Sequence, residues 1–148
     1  MKDKDYTPEA EALFGRLAER YKLEFVVERG VPMELLWAFP VQPHLSRPIT
    51  LGLQNLDELN FGVGDLWTYF FPFPDHAERF EQIVGSWIEG NGRVAVTGGK
   101  SCNLQLLEGA VWKTVYSQNG CICFFWMSPK RYLMNDTPPA PASRAVGL

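Results

Sequence analysis

Apolar residues recur first at helical and then at strand spacing along the chain. Ala10, Leu13, Phe14, Leu17 and Tyr21 fall on one face of a helix with 3.6 residues per turn. Ahead of them, Thr7-Pro8-Glu9 offers an N-cap hydroxyl, a proline at the first helical position and an acid near the positive end of the dipole. The pattern predicts a helix from Thr7 to about residue 21. The period then drops to two, with Leu23, Phe25 and Val27 alternating with Glu24 and Glu28, which predicts a strand. Gly30-Val31-Pro32 turns the chain; Met33, Leu35, Trp37 and Phe39 line one face of a second strand, and Ile49, Leu51 and Leu53 mark a third. Residues 40–48, with three prolines, read as an ordered surface loop.

Over residues 59–71 the alternation places Phe61, Val63, Asp65, Trp67, Tyr69 and Phe71 on one side and Gly62 and Gly64 on the other. The favoured expectation is one long strand bulged at its glycines. A two-residue hairpin turn at Gly64-Asp65 is the alternative. Pro72-Phe73-Pro74 stops this run, and Asp75 followed by Glu78 resembles a capping box. Ala77, Phe80, Val84, Trp87 and Ile88 then form the buried stripe of a second helix, which Gly90-Asn91-Gly92 ends. Strands follow over residues 93–97, 102–107, 110–117 and 121–128, jointed at Gly98-Gly99, Glu108-Gly109 and Asn119-Gly120. Residues 121–127 are apolar on both faces and are expected in a central strand, away from an exposed edge.

Helices followed by runs of strands indicate an α+β fold: two helices packed on predominantly antiparallel sheet, in the order α-β(3–4)-α-β(4). The length of 148 residues fits one domain, expected over residues 1–134. Residues 135–148, with Pro138, Pro139 and Pro141 among small residues, are expected to be a disordered tail. Hydrophobic residues at 46% and charged residues at 21% are ordinary for a globular chain and exclude low-complexity architecture. The N-terminus Met1-Lys2-Asp3-Lys4-Asp5-Tyr6 has no apolar core of a signal, and the longest apolar run is far short of a membrane span, so a cytoplasmic protein is expected. Three cysteines without an export pattern point to reduced thiols.

The net charge of −3 is unevenly spread. Residues 37–92 carry Arg47 and Arg79 against seven acids, whereas residues 93–148 carry six basic side chains against two acidic. An acidic middle repels phosphate backbones, so no nucleic-acid partner is expected. It suits a basic protein partner, with Asp57, Glu58, Glu78, Glu81 and Glu89 as steering charges and Trp67 as an aromatic anchor.

Three local motifs carry chemistry less well. Thr97-Gly98-Gly99-Lys100-Ser101 imitates the end of a phosphate-binding loop, but Val94 stands where its first glycine belongs and a strand follows instead of a helix. A hairpin turn is expected there. Cys121 and Cys123 could face one side of a strand and join Cys102 or a histidine, yet the spacing is not that of a zinc site and the surroundings are apolar. No metal and no cofactor is predicted. His44 and His76 are the only histidines, and either could act as a base with Asp65 in a small-ligand pocket or active site. Asp65 falls between Val63 and Trp67 on an apolar side; a bulge would turn it to solvent.

The run Gly62-Val63-Gly64-Asp65-Leu66-Trp67-Thr68-Tyr69-Phe70, followed by a helix and a meander of short strands, resembles small bacterial α+β proteins of the toxin-immunity type over about residues 58–117. That resemblance transfers no active site and implies a stoichiometric binder. The sequence therefore predicts a non-catalytic protein-binding module, of immunity type or a chaperone. An enzyme or small-ligand binder using Asp65 with His44 or His76 is the alternative class, and a homo-oligomeric structural protein a third.

Overall fold

The computed structural model describes residues 4–120 and 129–140. Helix α1 (Thr7–Arg20) is followed by β1 (Val26–Val27), β2 (Leu35–Phe39), β3 (Ile49–Gln54), β4 (Glu58–Val63) and β5 (Leu66–Trp67). Helix α2 (Phe73–Ile88) then leads to β6 (Gly92–Gly98), β7 (Ser101–Glu108), β8 (Val111–Gln118) and β9 (Arg131–Leu133). The fold is α+β, in the expected order, with five strands between the helices. One sheet runs β1-β2-β3-β4-β5 and the other β8-β7-β6-β9. Every strand pairing among the described residues is antiparallel.

All five residues of the predicted α1 stripe are buried. The helix start differs by one residue: Tyr6 occupies the N-cap position, and the Asp5 carboxylate accepts from the Thr7 amide at 2.9 Å and from its hydroxyl at 2.6 Å. These two hydrogen bonds hold the Asp5 carboxyl below the usual carboxylate range. Tyr6 thus holds the N-cap position without a side-chain cap, and Asp5, just before it, ties down the Thr7 amide and hydroxyl.

The long bulged strand expected over residues 59–71 is instead a hairpin. Val63 pairs with Leu66 across Gly64-Asp65, and Gly64 has φ +57°. A left-handed first turn position is what a type II′ hairpin requires and what glycine adopts without penalty, so the turn prevails over the bulge. Inside the hairpin, Asn60 Nδ2 donates to the Thr68 carbonyl at 2.9 Å, and Thr68 Oγ1 accepts from the Phe61 amide at 2.9 Å. Both side chains are fully buried, so this pairing fixes the register.

Helix α2 begins two residues before the expected cap. Pro72 is the N-cap and Pro74 sits in the first turn, where a missing N–H removes no helical bond. Asp75 lies inside the helix, its amide donating to the Pro72 carbonyl at 3.2 Å, and no side-chain cap forms. At the other end the Gly90 amide donates to Trp87 O and the Asn91 amide to Ser86 O, with Gly90 at φ +84°. This is the Schellman pattern. Phe80, Ile83, Val84, Trp87 and Ile88 are at most 1% exposed. Each such side chain contributes about 1.5–3 kcal/mol by leaving water. They join α1, β2 to β7 and β9 in one apolar cluster.

Contacts between Tyr6 and Phe73, Phe14 and Phe80, Arg16 and Glu81, and Tyr21 and Glu89 advance together along both helices, so α1 and α2 run parallel. Thr97-Gly98-Gly99-Lys100-Ser101 is the β6–β7 turn, as expected. Strand β9 was not expected; it pairs with β6 through Val94–Leu133, Ala95–Tyr132 and Val96–Arg131. The predicted central strand at 121–128, with Cys121, Cys123 and Trp126, lies outside the described residues.

Asn135, the first residue of the expected tail, belongs to the folded unit. It is 2% exposed; its Nδ2 donates to Ile88 O at 2.6 Å and His44 O at 2.9 Å, and its Oδ1 accepts from the Ser46 amide at 2.9 Å.

Candidate functional site

The structure divides the acids expected to steer a partner. Glu81 is taken by α1, accepting from Arg16 Nη2 at 2.9 Å and Arg20 Nη2 at 3.1 Å. Glu89 accepts from the Tyr21 hydroxyl. Burial, followed by that bond to a carboxylate, pushes the Tyr21 phenol up to about 12. Glu58 accepts from Asn55 Nδ2 at 2.9 Å across the β3–β4 turn. Glu78 and Asp75 are exposed and Asp57 is half-buried, and none of the three has a hydrogen-bond or ion-pair partner through its side chain among the described residues.

These freer acids gather at one end of the molecule. Tyr6 stacks on Phe73 with ring centres 4.9 Å apart, while its amide donates to Leu56 O at 2.9 Å. Leu59 and Phe70 form an isolated bridge beyond β5. The turn bearing Asp57 and Glu58, the segment leaving β5 and the first turn of α2 therefore meet. Asp75 and Glu78, three residues apart, share a helix face.

At this end Tyr69 is 47% and Phe71 57% exposed, continuing the row that Trp67 begins. Trp67 itself is half-buried, and its amide donates to Gln118 Oε1 at 2.8 Å. Sequence reasoning selected Trp67 and missed Tyr69 and Phe71. The available signal was that three aromatics at alternate positions run past a hairpin partner and so outlast the sheet that would cover them.

The alternative pocket residues do not converge. A cleft of about 490 Å³ lies where the β4–β5 hairpin faces the β6–β7 turn, with Thr50, Asp65, Trp67 and Lys100 in its lining. Neither histidine lines it. His44 is exposed in the loop before β3, and His76 sits on α2 with its ring 6.5 Å from that of Phe70. Asp65 is exposed at the hairpin tip, as a solvent-turned carboxylate. Cys102 is buried, and burial, followed by the negative charge of Asp65, pushes its thiol up to about 11. A thiol held protonated in this way is a poor nucleophile at neutral pH. Among the described residues no three His, Cys, Asp or Glu side chains are grouped to hold a metal ion, and no helix is long and apolar enough to cross a membrane.

Comparison with protein families, with curated proteins and with solved structures finds no match to this chain. The side chains and their placement carry the functional argument by themselves.

Proposed function

We propose that the chain is a non-catalytic cytoplasmic module that binds a basic protein through the end where the β3–β4 turn meets α2. Tyr69 and Phe71 are the anchors, with Trp67 behind them, and Asp57, Asp75 and Glu78 supply the steering charge. The observation that carries this reading is the exposure of Phe71, 57%, and Tyr69, 47%, beside carboxylates without a side-chain partner among the described residues. Large aromatics ringed by charge are typical anchors of protein interfaces. The resemblance of residues 58–117 to immunity-type proteins favours a toxin as the partner, with a chaperone client in the same class. Glu81 and Glu89 drop out of the steering set because Arg16 and Arg20 of α1 and Tyr21 just after it already hold them.

Affinity capture with the full chain from its native extract, at low and at moderate salt, tests this. A stoichiometric basic protein should be retained by the wild type and weakened by salt. It should be lost on Phe71→Ser and on the double charge reversal Asp75→Lys, Glu78→Lys. Equal capture by all three chains would remove the mechanism.

A second reading rests on the cleft at the hairpin tip, whose volume falls within the range of small-molecule sites, about 300–1,000 Å³. Asp65 and Lys100 would serve it, without a histidine. A ligand-induced rise in Tm that disappears in Asp65→Asn supports this reading, and no rise across a broad metabolite panel opposes it.

A further inference from the structure

The second sheet turns an opposite chemistry outward. In its register Arg93 pairs with Gln105, Gln105 with Thr114, Leu107 with Trp112 and Ala95 with Tyr132. Side chains at paired positions share a face. Arg93, Gln105, Thr114, Trp112 and Tyr132 therefore lie opposite the buried Val94, Leu104 and Leu133. The Arg93 guanidinium carbon is 4.3 Å from the ring centre of Trp112 and 4.1 Å from that of Tyr132, residues on strands to either side of β6. Its Nε donates to Gln105 Oε1 at 2.7 Å.

Two rings and one hydrogen bond fix this guanidinium. Its terminal amino groups have no hydrogen bond or ion pair among the described residues. Glu108 on β7 belongs by register to the opposite face, with Leu106, where Lys113 engages it at 3.2 Å and Arg79 at 3.6 Å. Arg93 is thus a pre-oriented cation without a counter-charge among the described residues, and its open edge offers the parallel N–H pair that a carboxylate accepts. Holding the side chain in place beforehand removes much of the ordering cost of binding. Tyr132, 44% exposed, adds apolar surface beside it.

We propose that this sheet face is a carboxylate-recognition site centred on Arg93, which docks an acidic segment of a second protein. The occupant follows from the charge. Within strands β6 to β9 Arg93 is the one cation on this face, set among uncharged polar and aromatic groups, which suits a single carboxylate, whereas nucleic acid is held by several cations along a backbone. The site lies on other strands than the proposed toxin-binding end and prefers the opposite charge, so the two proposals stand or fall separately.

Fluorescence anisotropy of a labelled peptide of six glutamates spaced by serines, titrated with the full chain, tests it. Saturable binding is expected, weakened at least tenfold in Arg93→Gln. Arg93→Lys, which keeps the charge and loses the fork and the stacking, should weaken it about fivefold. The same peptide with glutamine for glutamate should not bind, and Phe71→Ser should bind as wild type. Chemical-shift movement of the Trp112 indole on adding the peptide gives a readout in the wild-type protein, independent of any variant's stability. No saturation by millimolar concentration, equal affinity in Arg93→Gln, or displacement by inorganic phosphate at lower concentration than by free glutamate would each overturn the proposal.

Discussion

The side chain of Gln118 on β8 accepts the outward amide of Trp67 on β5 at 2.8 Å. Its Nε2 donates at 2.8 Å to both the Asp65 and the Lys100 carbonyls, and the Tyr116 hydroxyl accepts from the Tyr69 amide at 3.2 Å. Side chains of the second sheet therefore occupy the edge of the first. Gln118→Leu should lower unfolding free energy by about 1–3 kcal/mol, the cost of leaving part-buried backbone groups unpaired. Urea titration checks this as a lower midpoint. Hydrogen exchange should quicken more at the Trp67 amide than at Thr68, whose amide donates inward to Phe61 O at 3.0 Å.

Gly85 on α2 and Tyr21 after α1 should show strong coupling. A Cβ at Gly85 would lie 2.9 Å from the Tyr21 hydroxyl, which Glu89 holds in place. Gly85→Ala should therefore destabilise the wild type despite a helix-propensity gain of about 1 kcal/mol. In Tyr21→Phe, where the obstructing oxygen is gone, the same change should stabilise. A double-mutant cycle by thermal and chemical unfolding reads this reversal of sign.

Alkaline pH should erode stability through two overlapping ionisations. An acid whose native pKa is raised binds its proton more tightly in the folded state. Its stabilising contribution is complete below the unfolded value and is lost as pH climbs through the folded one. For Cys102 that window runs from 9.0 to about 11, and for Tyr21 from 10.0 to about 12. Cys102→Ala should flatten the stability profile in the first window and Tyr21→Phe in the second, each measured against the wild-type curve.

Asn135 should behave as a clasp. Asn135→Ala removes hydrogen bonds to Ile88 O, His44 O and the Ser46 amide. It should cost about 2–3 kcal/mol, since a buried helix-end carbonyl loses its donor. Ending the chain at Met134 should be at least as damaging, and the midpoint of thermal unfolding measures both.

Phe71→Ser, by contrast, should change stability by no more than about 0.5 kcal/mol, because the side chain is largely in water. Circular dichroism melts verify this, and the result separates its binding role from folding.

The stripes of both helices and the alternation of β2, β3 and β7 were legible because the buried residues there repeat at the period of their own element. Ends were less so. Thr7 yielded the N-cap position to Tyr6 and became the first helical residue, its amide held by the Asp5 carboxylate, and Pro74 entered the first turn of α2, with Pro72 at the N-cap, because prolines are harmless where helical N–H groups have no partner. Gly64 decided between bulge and turn through its positive φ, which the alternation of neighbours does not encode. The pairing of Arg16 and Arg20 with Glu81 joins residues more than sixty positions apart, so this acid looks free in the sequence and is spent in the fold. Strand β9 is three residues long and owes its form to β6, with no period of its own.

An unfinished sheet margin is a template on which another molecule can add a strand. Where Gln118 and Tyr116 rest against β5, that template is already filled from within the same molecule. Crowded copies thus have one place fewer at which to polymerise.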